Sequence, residues 1–276
     1  MIFFGSSRPV VAVLRLNGVI GRVGPVRAGL TLAGLAGMIE RAFQLKHLKA
    51  VALTINSPGG SPVQSALIHS RIRALAEEKE IPILAFAEDV AASGGYWLAC
   101  AGDEIYANEN SIVGSIGVVS AGFGFPDMLK RFGIERRVYT AGERKAILDP
   151  FRPENPEDIA HLRTIQVDIH DSFKALVRAR RGKRLKGAEK DMFSGAFWTG
   201  RKALELGLID GIGDLRTVTR DRFGEKVKLK VMEPSRGWLR RRLGISAPSL
   251  GGDAGLWADQ LIAAVEERFL WNRFGL

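Results

Sequence analysis

The chain has 276 residues, 46% hydrophobic and 25% charged, which is ordinary globular material and enough to bury one large core. Forty Lys and Arg against thirty Asp and Glu give a formal charge of +10, and the single cysteine, Cys100, excludes an intrachain disulfide. The fold therefore does not depend on an oxidising compartment, and Cys100 reads as a small buried hydrophobe.

The opening residues Met1 to Ser7 carry no basic segment followed by a long apolar stretch, so no signal peptide is expected. The first strong pattern is the unbroken apolar run Val10 to Leu14, which fits a strand covered on both faces and so a parallel sheet. After the turn at Gly24 and Pro25, apolar residues at Leu32, Leu35, Ile39 and Phe43 step by three and four, as one helix face does. A strand from Ala50 to Ile55, a helix from Ser61 to Glu78 and a strand from Pro82 to Ala87 complete a β-α-β-α-β succession.

Further on, the sequence predicts a short helix from Ser93, a strand over Glu104 to Ala107, a Gly-rich stretch from Val113 to Gly124 and a strand near Arg137 to Thr140. A long helix from Pro156 to Arg181 follows, with Ile159, Leu162, Ile165, Ile169, Phe173 and Leu176 at helical spacing. Seven cations and one carboxylate between Arg178 and Lys190 hold +6 of the charge, and they read as a solvated loop or helix end. Attraction to acidic lipid headgroups is the second reading of that segment, ahead of nucleic acid.

Composition shifts after Met232, which puts a boundary near residue 233 between a main domain, 1–232, and a tail, 233–276. The tail ends in an amphipathic stretch from Leu256 to Phe274, with Leu261, Ile262, Val265 and Phe269 on one face. The longest uncharged stretch, Ser111 to Pro126, is too short and too rich in glycine to cross a bilayer. No cofactor motif and no metal-ligand spacing is present, since His47, His69, His161 and His170 have no paired partner.

Two glycine turns carry chemical interest. Asn56-Ser57-Pro58-Gly59-Gly60 lies between a strand and a helix, at the sheet edge where open α/β folds place ligands, and reads either as a plain turn or as a backbone N–H donor site. Ala92-Ser93-Gly94-Gly95-Tyr96 has the same placement, and Ser93 is either an N-cap or a nucleophile whose neighbouring N–H groups could hold an oxyanion. With no histidine in a triad-like motif, the base for such a serine would be a carboxylate or a buried lysine. Lys145, at the junction Ala141 to Pro150, is either solvated or that base.

Those residues resemble the signal-peptide-peptidase A family of serine peptidases, with its SohB-like members, in the crotonase/Clp-protease superfamily. The resemblance covers Val10 to Met232 and rests on four blocks: Asn56 to Gly60, Ala92 to Tyr96, Gly114-Ser115-Ile116-Gly117, and Trp198-Thr199-Gly200 followed by Gly207 to Asp210. It implies a crotonase/ClpP-like α/β fold with a mostly parallel sheet, flanking helices, one catalytic domain and a helical C-terminal tail.

It further implies Ser93 as nucleophile, Lys145 as general base, the N–H groups of Gly60 and Gly94 as oxyanion hole, and Ser115 as the hydroxyl that orients the lysine. No cofactor is implied. The expected substrates are extended segments such as remnant signal peptides or unfolded chains, and the expected assembly is a homo-oligomer whose neighbouring subunits share active sites. The family's frequent N-terminal anchor has no counterpart here, so a cytoplasmic protein with at most peripheral membrane contact and no nucleic-acid partner is expected. Ala146 stands where the family often has aspartate, and Asp149 where serine is common. A crotonase-type acyl-CoA enzyme and a non-catalytic scaffold are the alternatives.

Overall fold

The structure is a computed structural model that describes residues 8–23, 27–233, 264–265 and 267–275. Its elements in chain order are β1 (Val10–Asn17), β2 (Arg22–Val23), β3 (Arg27–Ala28), α1 (Leu32–Phe43), β4 (Leu48–Ser57), α2 (Pro62–Lys79), β5 (Ile83–Ala92) and α3 (Gly94–Ala99). Then come β6 (Glu104–Ala107), β7 (Ile112–Gly114), α4 (Pro126–Arg131), α5 (Pro156–Arg181), a 3-10 turn at Gly182–Arg184 and α6 (Glu189–Met192). The series closes with β8 (Phe197–Thr199), α7 (Gly200–Glu205), β9 (Gly211–Ile212), α8 (Leu215–Phe223) and β10 (Lys228–Val231).

The main sheet has the order β10-β1-β4-β5-β6-β9, with β7 added to β5 and β8 to β7. Every pairing in it is parallel except β7 with β8. The apolar run at Val10 to Leu14 is a strand with neighbours on both sides, as its continuous hydrophobicity requires. Alternation then assigns the two faces. Val11, Val13, Ala50, Ala52, Leu84 and Phe86 form one core layer, covered by Leu215, Val218 and Phe223 of α8. Ala12, Leu14, Val51, Leu53 and Ile83, of the opposite parity, are fully buried on the face where α1 and α3 pack.

Local chemistry sets the helix starts. The Thr31 hydroxyl accepts from the Gly34 amide at the head of α1. At α2 the Ser61 hydroxyl accepts from Gln64, and Pro62 occupies the first helical position, where its missing N–H costs nothing. The strand Ile83–Ala92 runs five residues past its expected end, because Glu88 and Asp89 form an exposed irregularity between its pairing with β6 and its pairing with β7.

The chain divides into two compact units, residues 1–116 with 174–276, and residues 117–173. The sequence carries no signal for a division at those points. In the smaller unit the expected strand near Arg137 to Thr140 is absent, since those residues have no ladder partner. Every residue from 117 to 172 is at least partly exposed. The unit is held instead by Phe125 against Phe151, by Arg136 over the Phe151 ring at 4.6 Å, and by Arg136 and Arg152 flanking the Asp149 carboxylate. Leu256 to Ala263 of the expected amphipathic stretch lie outside the described residues, and residues 264–265 and 267–272 are helical.

Candidate active site

The two glycine turns leave adjacent parallel strands at the same sheet edge, and the structure interlocks them. A Cβ placed on Gly59 would stand 2.8 Å from Ser93 Cβ and 2.9 Å from the Gly94 nitrogen, closer than real Cβ atoms approach. Gly60, at φ +140°, faces Ile20, whose amide donates to Gly59 O and whose carbonyl accepts from Ser61 N. In such a bridge the N–H of the middle residue points away from the partner strand, so the Gly60 amide turns to the open side.

Ser93 has φ +51° and ψ −121°, a left-handed conformation that costs a non-glycine residue about 1–3 kcal/mol. The neighbouring pieces impose it: the Ser93 amide donates to Gly114 O at 2.8 Å, and the Ser93 carbonyl accepts from Trp97 N at 3.0 Å. Although Ser93 occupies the N-cap position of α3, its hydroxyl makes no capping bond, and the residue keeps partial exposure while all six residues behind it are buried. Ser93 is thus the N-cap by position, but its hydroxyl does not cap the helix. The first amides of α3, beginning with Gly94, have no intrahelical acceptor, as at any helix start.

Ser115 follows Gly114 directly. It is 4% exposed, has φ +54°, and donates its amide to Ala196 O at 2.7 Å. The larger unit thus gathers Ser93, Gly94, Gly60 and Ser115 around the ends of β4, β5 and β7. Lys145 belongs to the other unit, where it is exposed in a turn and its amide donates to Gly142 O at 3.2 Å. A cavity of about 830 Å³ within that unit has Phe125, Ile147, Asp149 and Leu162 in its lining.

The support behind Ser93 is polar and was not foreseen. Fully buried Tyr96 donates its hydroxyl to Leu208 O at 2.7 Å. Arg180 donates to Cys100 O at 2.8 Å and Gly102 O at 3.0 Å, capping the C-terminal end of α3. Arg181, 2% exposed, makes a two-point pair with Asp210 at 2.7 and 3.0 Å and a third bond to Gly207 O. Burial would raise the Asp210 carboxyl, but the Arg181 hydrogen bonds, the Ile105 amide and the nearby charge outweigh it and hold the group below its usual range.

The basic segment from Arg178 to Lys190 is therefore solvated in part only, with Arg180 and Arg181 as the exceptions. Arg180 and Arg181 tie the last turn of α5 to backbone carbonyls and to Asp210, while Arg178, which pairs with Glu189, Arg184 and the lysines Lys183, Lys186 and Lys190 are exposed. No sequence pattern signalled the Arg180 and Arg181 contacts, because their acceptors lie 26 to 80 residues away. Cys100 is fully buried and its thiol is pushed up to about 12 by burial, which makes it inert, as its composition-level reading held. Among the described residues no group of three or more His, Cys, Asp or Glu could hold a metal ion.

The family model for Peptidase family S49 matches residues 75–230, a span that includes Ser93, Ser115 and Lys145. The chain belongs to Peptidase family S49. The chain is 52% identical to two proteins named Na(+)/H(+) antiporter NhaA, from Brucella abortus and Brucella melitensis, over 99% of its own length. It spans only 38% of the length of those relatives.

It is also 32% identical to the chloroplastic serine protease SPPA of Arabidopsis thaliana, over 76% of this chain and 31% of that one. The solved structure of the membrane-bound stomatin-specific protease 1510-N, in mutant form, superposes with a TM-score of 0.50 at 16% identity, covering 83% of this chain and 100% of that one. That likeness extends to the fold, a mostly parallel sheet with flanking helices. Among the described residues no helix is long and apolar enough to cross a membrane.

Proposed function

We propose that this S49 member is a serine endopeptidase in which Ser93 is the nucleophile and Lys145 the general base. The observation that carries the reading is Ser93 itself: a strained, uncapped, partly exposed hydroxyl held beside two glycine turns by three separate strand ends. Strain without a structural return points to function.

In the reaction, the Ser93 hydroxyl oxygen attacks the substrate carbonyl as its proton passes to the Lys145 amine. The oxyanion forms against the Gly60 and Gly94 N–H groups, the C–N bond breaks, and the proton goes on to the leaving amine. Water then hydrolyses the Ser93 ester by the reverse use of the same groups. Lysine, with a reference pKa of ~10.4, serves as a base near neutrality only when burial removes its charge. Ser115 is assigned to orient that amine.

Lys145 is exposed in the isolated chain, and every residue from 117 to 172 of the unit that carries it is at least partly exposed. Both facts favour a homo-oligomer in which a second copy covers this unit and completes the site. Phe123, Phe132 and Tyr139 are 70% or more exposed there, an apolar surface of the kind that association removes from water. The substrates proposed are extended segments, remnant signal peptides or unfolded chains, paired along a strand edge. Work close to a membrane is favoured by the match to part of two proteins named as Na(+)/H(+) antiporters.

The test is labelling with a fluorophosphonate followed by peptide mass mapping. One adduct on Ser93, absent from the Ser93→Ala chain, is the expected result; a wild-type chain that takes up no label contradicts the reading.

A further inference from the structure

The strand that delivers Ser93 carries two residues more than its neighbour. Along the ladder with β4, Ile55 pairs with Ala87 and Ser57 pairs with Ala91, so β5 advances four residues while β4 advances two. The surplus falls at Glu88 and Asp89, which are exposed between buried Ala87 and buried Val90. At ~3.3 Å per residue, two surplus residues amount to about 7 Å of chain. A bulge drawn flat into the ladder would carry Ser93 that far from Gly59, against which it is packed.

A slip of two residues keeps every side chain on its own face of the sheet, so alternation alone does not oppose it. Composition does. The flattened strand would set Asp89 opposite Ser57, in the fully buried place that Ala91 holds. One side chain opposes the slip directly. Asn56 lies between the paired positions Ile55 and Ser57 and spans the bulge: its Oδ1 accepts from the Val90 amide at 3.2 Å, and its Nδ2 donates to Asp89 Oδ2 at 2.7 Å. The Asn56 backbone is itself tied to the next turn, where its carbonyl accepts from the Gly18 amide at 2.9 Å.

Only one orientation of the Asn56 amide serves both bonds. A backbone N–H can only donate and an ionised carboxylate can only accept, so the oxygen faces Val90 and the nitrogen faces Asp89. Aspartate in that place would keep the acceptor but set two carboxylates together. From Val90 the strand continues through Ala91 and Ala92, paired with Val113 and Gly114, directly to Ser93. No unpaired residue separates the pinned bulge from the nucleophile.

We propose that Asn56 is a positioning residue for Ser93: its side chain pins the bulge at Glu88 and Asp89, and so fixes how far β5 carries the nucleophile toward the Gly59 and Gly60 turn. This role rests on the peptidase reading above for its effect on rate, and on the two hydrogen bonds for the positioning. Asn56 acts on the reaction through β5 and not by contact with the substrate. Its loss therefore slows attack by Ser93 and leaves KM unchanged.

The experiment compares three full-length chains: wild type, Asn56→Asp, and the exchanged pair Asn56→Asp/Asp89→Asn. The exchanged pair restores one acceptor for the Val90 amide and one donor across the bulge. Fluorophosphonate labelling of Ser93, kcat and KM on a fluorogenic peptide, amide hydrogen exchange at residues 88–93 and melting curves are measured for each. In Asn56→Asp, labelling and kcat are expected to fall about 100-fold with KM unchanged, and the exchanged pair is expected to regain most of the loss.

An Asn56→Asp chain that labels at the wild-type rate overturns the inference. So does an exchanged pair no faster than the single variant when both melt above the assay temperature. If Asn56→Asp does not fold, the exchanged pair decides: labelling near the wild-type rate supports the role, and failure to fold or label overturns it. If wild type neither labels nor cleaves, the peptidase reading fails, and exchange decides the positioning. Protection at residues 88–93 that is lost in the single variant and regained in the exchanged pair supports it; equal protection in all three chains overturns it.

Discussion

Gly59 and Ser93 are packed so closely that a Cβ on Gly59 would stand 2.8 Å from the Ser93 Cβ, which leaves no room for a side chain there. Gly59 is also at φ +105°, where an L side chain is strained even without a neighbour. Gly59→Ala must therefore push the nucleophile turn away from its place. Displacement of a reacting group by ~1 Å costs on the order of 10²-fold in rate, so kcat/KM is expected to fall by about that much. Steady-state kinetics with a parallel melting curve checks this, because a variant that keeps full activity would show that Ser93 is not held by this contact.

The Arg181 and Asp210 pair predicts an asymmetric response to substitution. Arg181→Met leaves Asp210 without its main partner, and breaking a buried pair on one side costs about 3–5 kcal/mol. Replacing both, as Arg181→Met with Asp210→Leu, removes the stranded charge and is expected to be milder than either single change. Urea melts of the three variants measure the difference.

His69 predicts a pH dependence. It is 8% exposed, its Nε2 has no hydrogen-bond partner, and burial first, then the Arg180 and Arg73 charges, lower it from 6.5 to about 4, against the opposing effects of the Cys100 backbone bond and Glu77. The folded state thus binds the proton more weakly than the unfolded chain. Stability from this residue is complete above pH 6.5 and is lost as pH falls through 6.5 toward 4, roughly 3 kcal/mol in all. Between pH 7.5 and 4 the stability of wild type should fall relative to that of His69→Phe; parallel curves would show that His69 is not the source.

Thr54 offers a gain. It is 4% exposed within β4, beside Phe86 in the ladder, and its hydroxyl has no hydrogen-bond partner. Thr54→Val keeps the shape and removes an unmet polar group, so a stabilisation of about 1 kcal/mol is expected. A lower melting temperature in the valine variant would mean that the hydroxyl is satisfied.

Much of the secondary structure was legible because its signals are local. The run at Val10 to Leu14, the spacing from Leu32 to Phe43 and the helix from Pro156 to Arg181 each depend on neighbours in sequence, and each element is present. The Ser93 turn was legible as a motif, while its strain and its missing cap are consequences of Gly59 and Gly114, which no local pattern reveals. Arg180 and Arg181 were misread for the same reason, since a cation is counted in sequence but its acceptor carbonyls at Cys100 and Gly207 are set by the fold. The stretch Arg137 to Thr140 has strand-like residues without a strand, because the unit that holds it provides no ladder to join.

The central claim is that Ser93 and Lys145 act together, in one site built from two copies of the chain. Cleavage of a fluorogenic unfolded protein by wild type, Ser93→Ala and Lys145→Ala, each assembled separately and then mixed, tests it most directly. Activity in wild type, loss in each variant and partial recovery when the two inactive chains exchange subunits is the predicted result. Cleavage by the Ser93→Ala chain at the wild-type rate would contradict it.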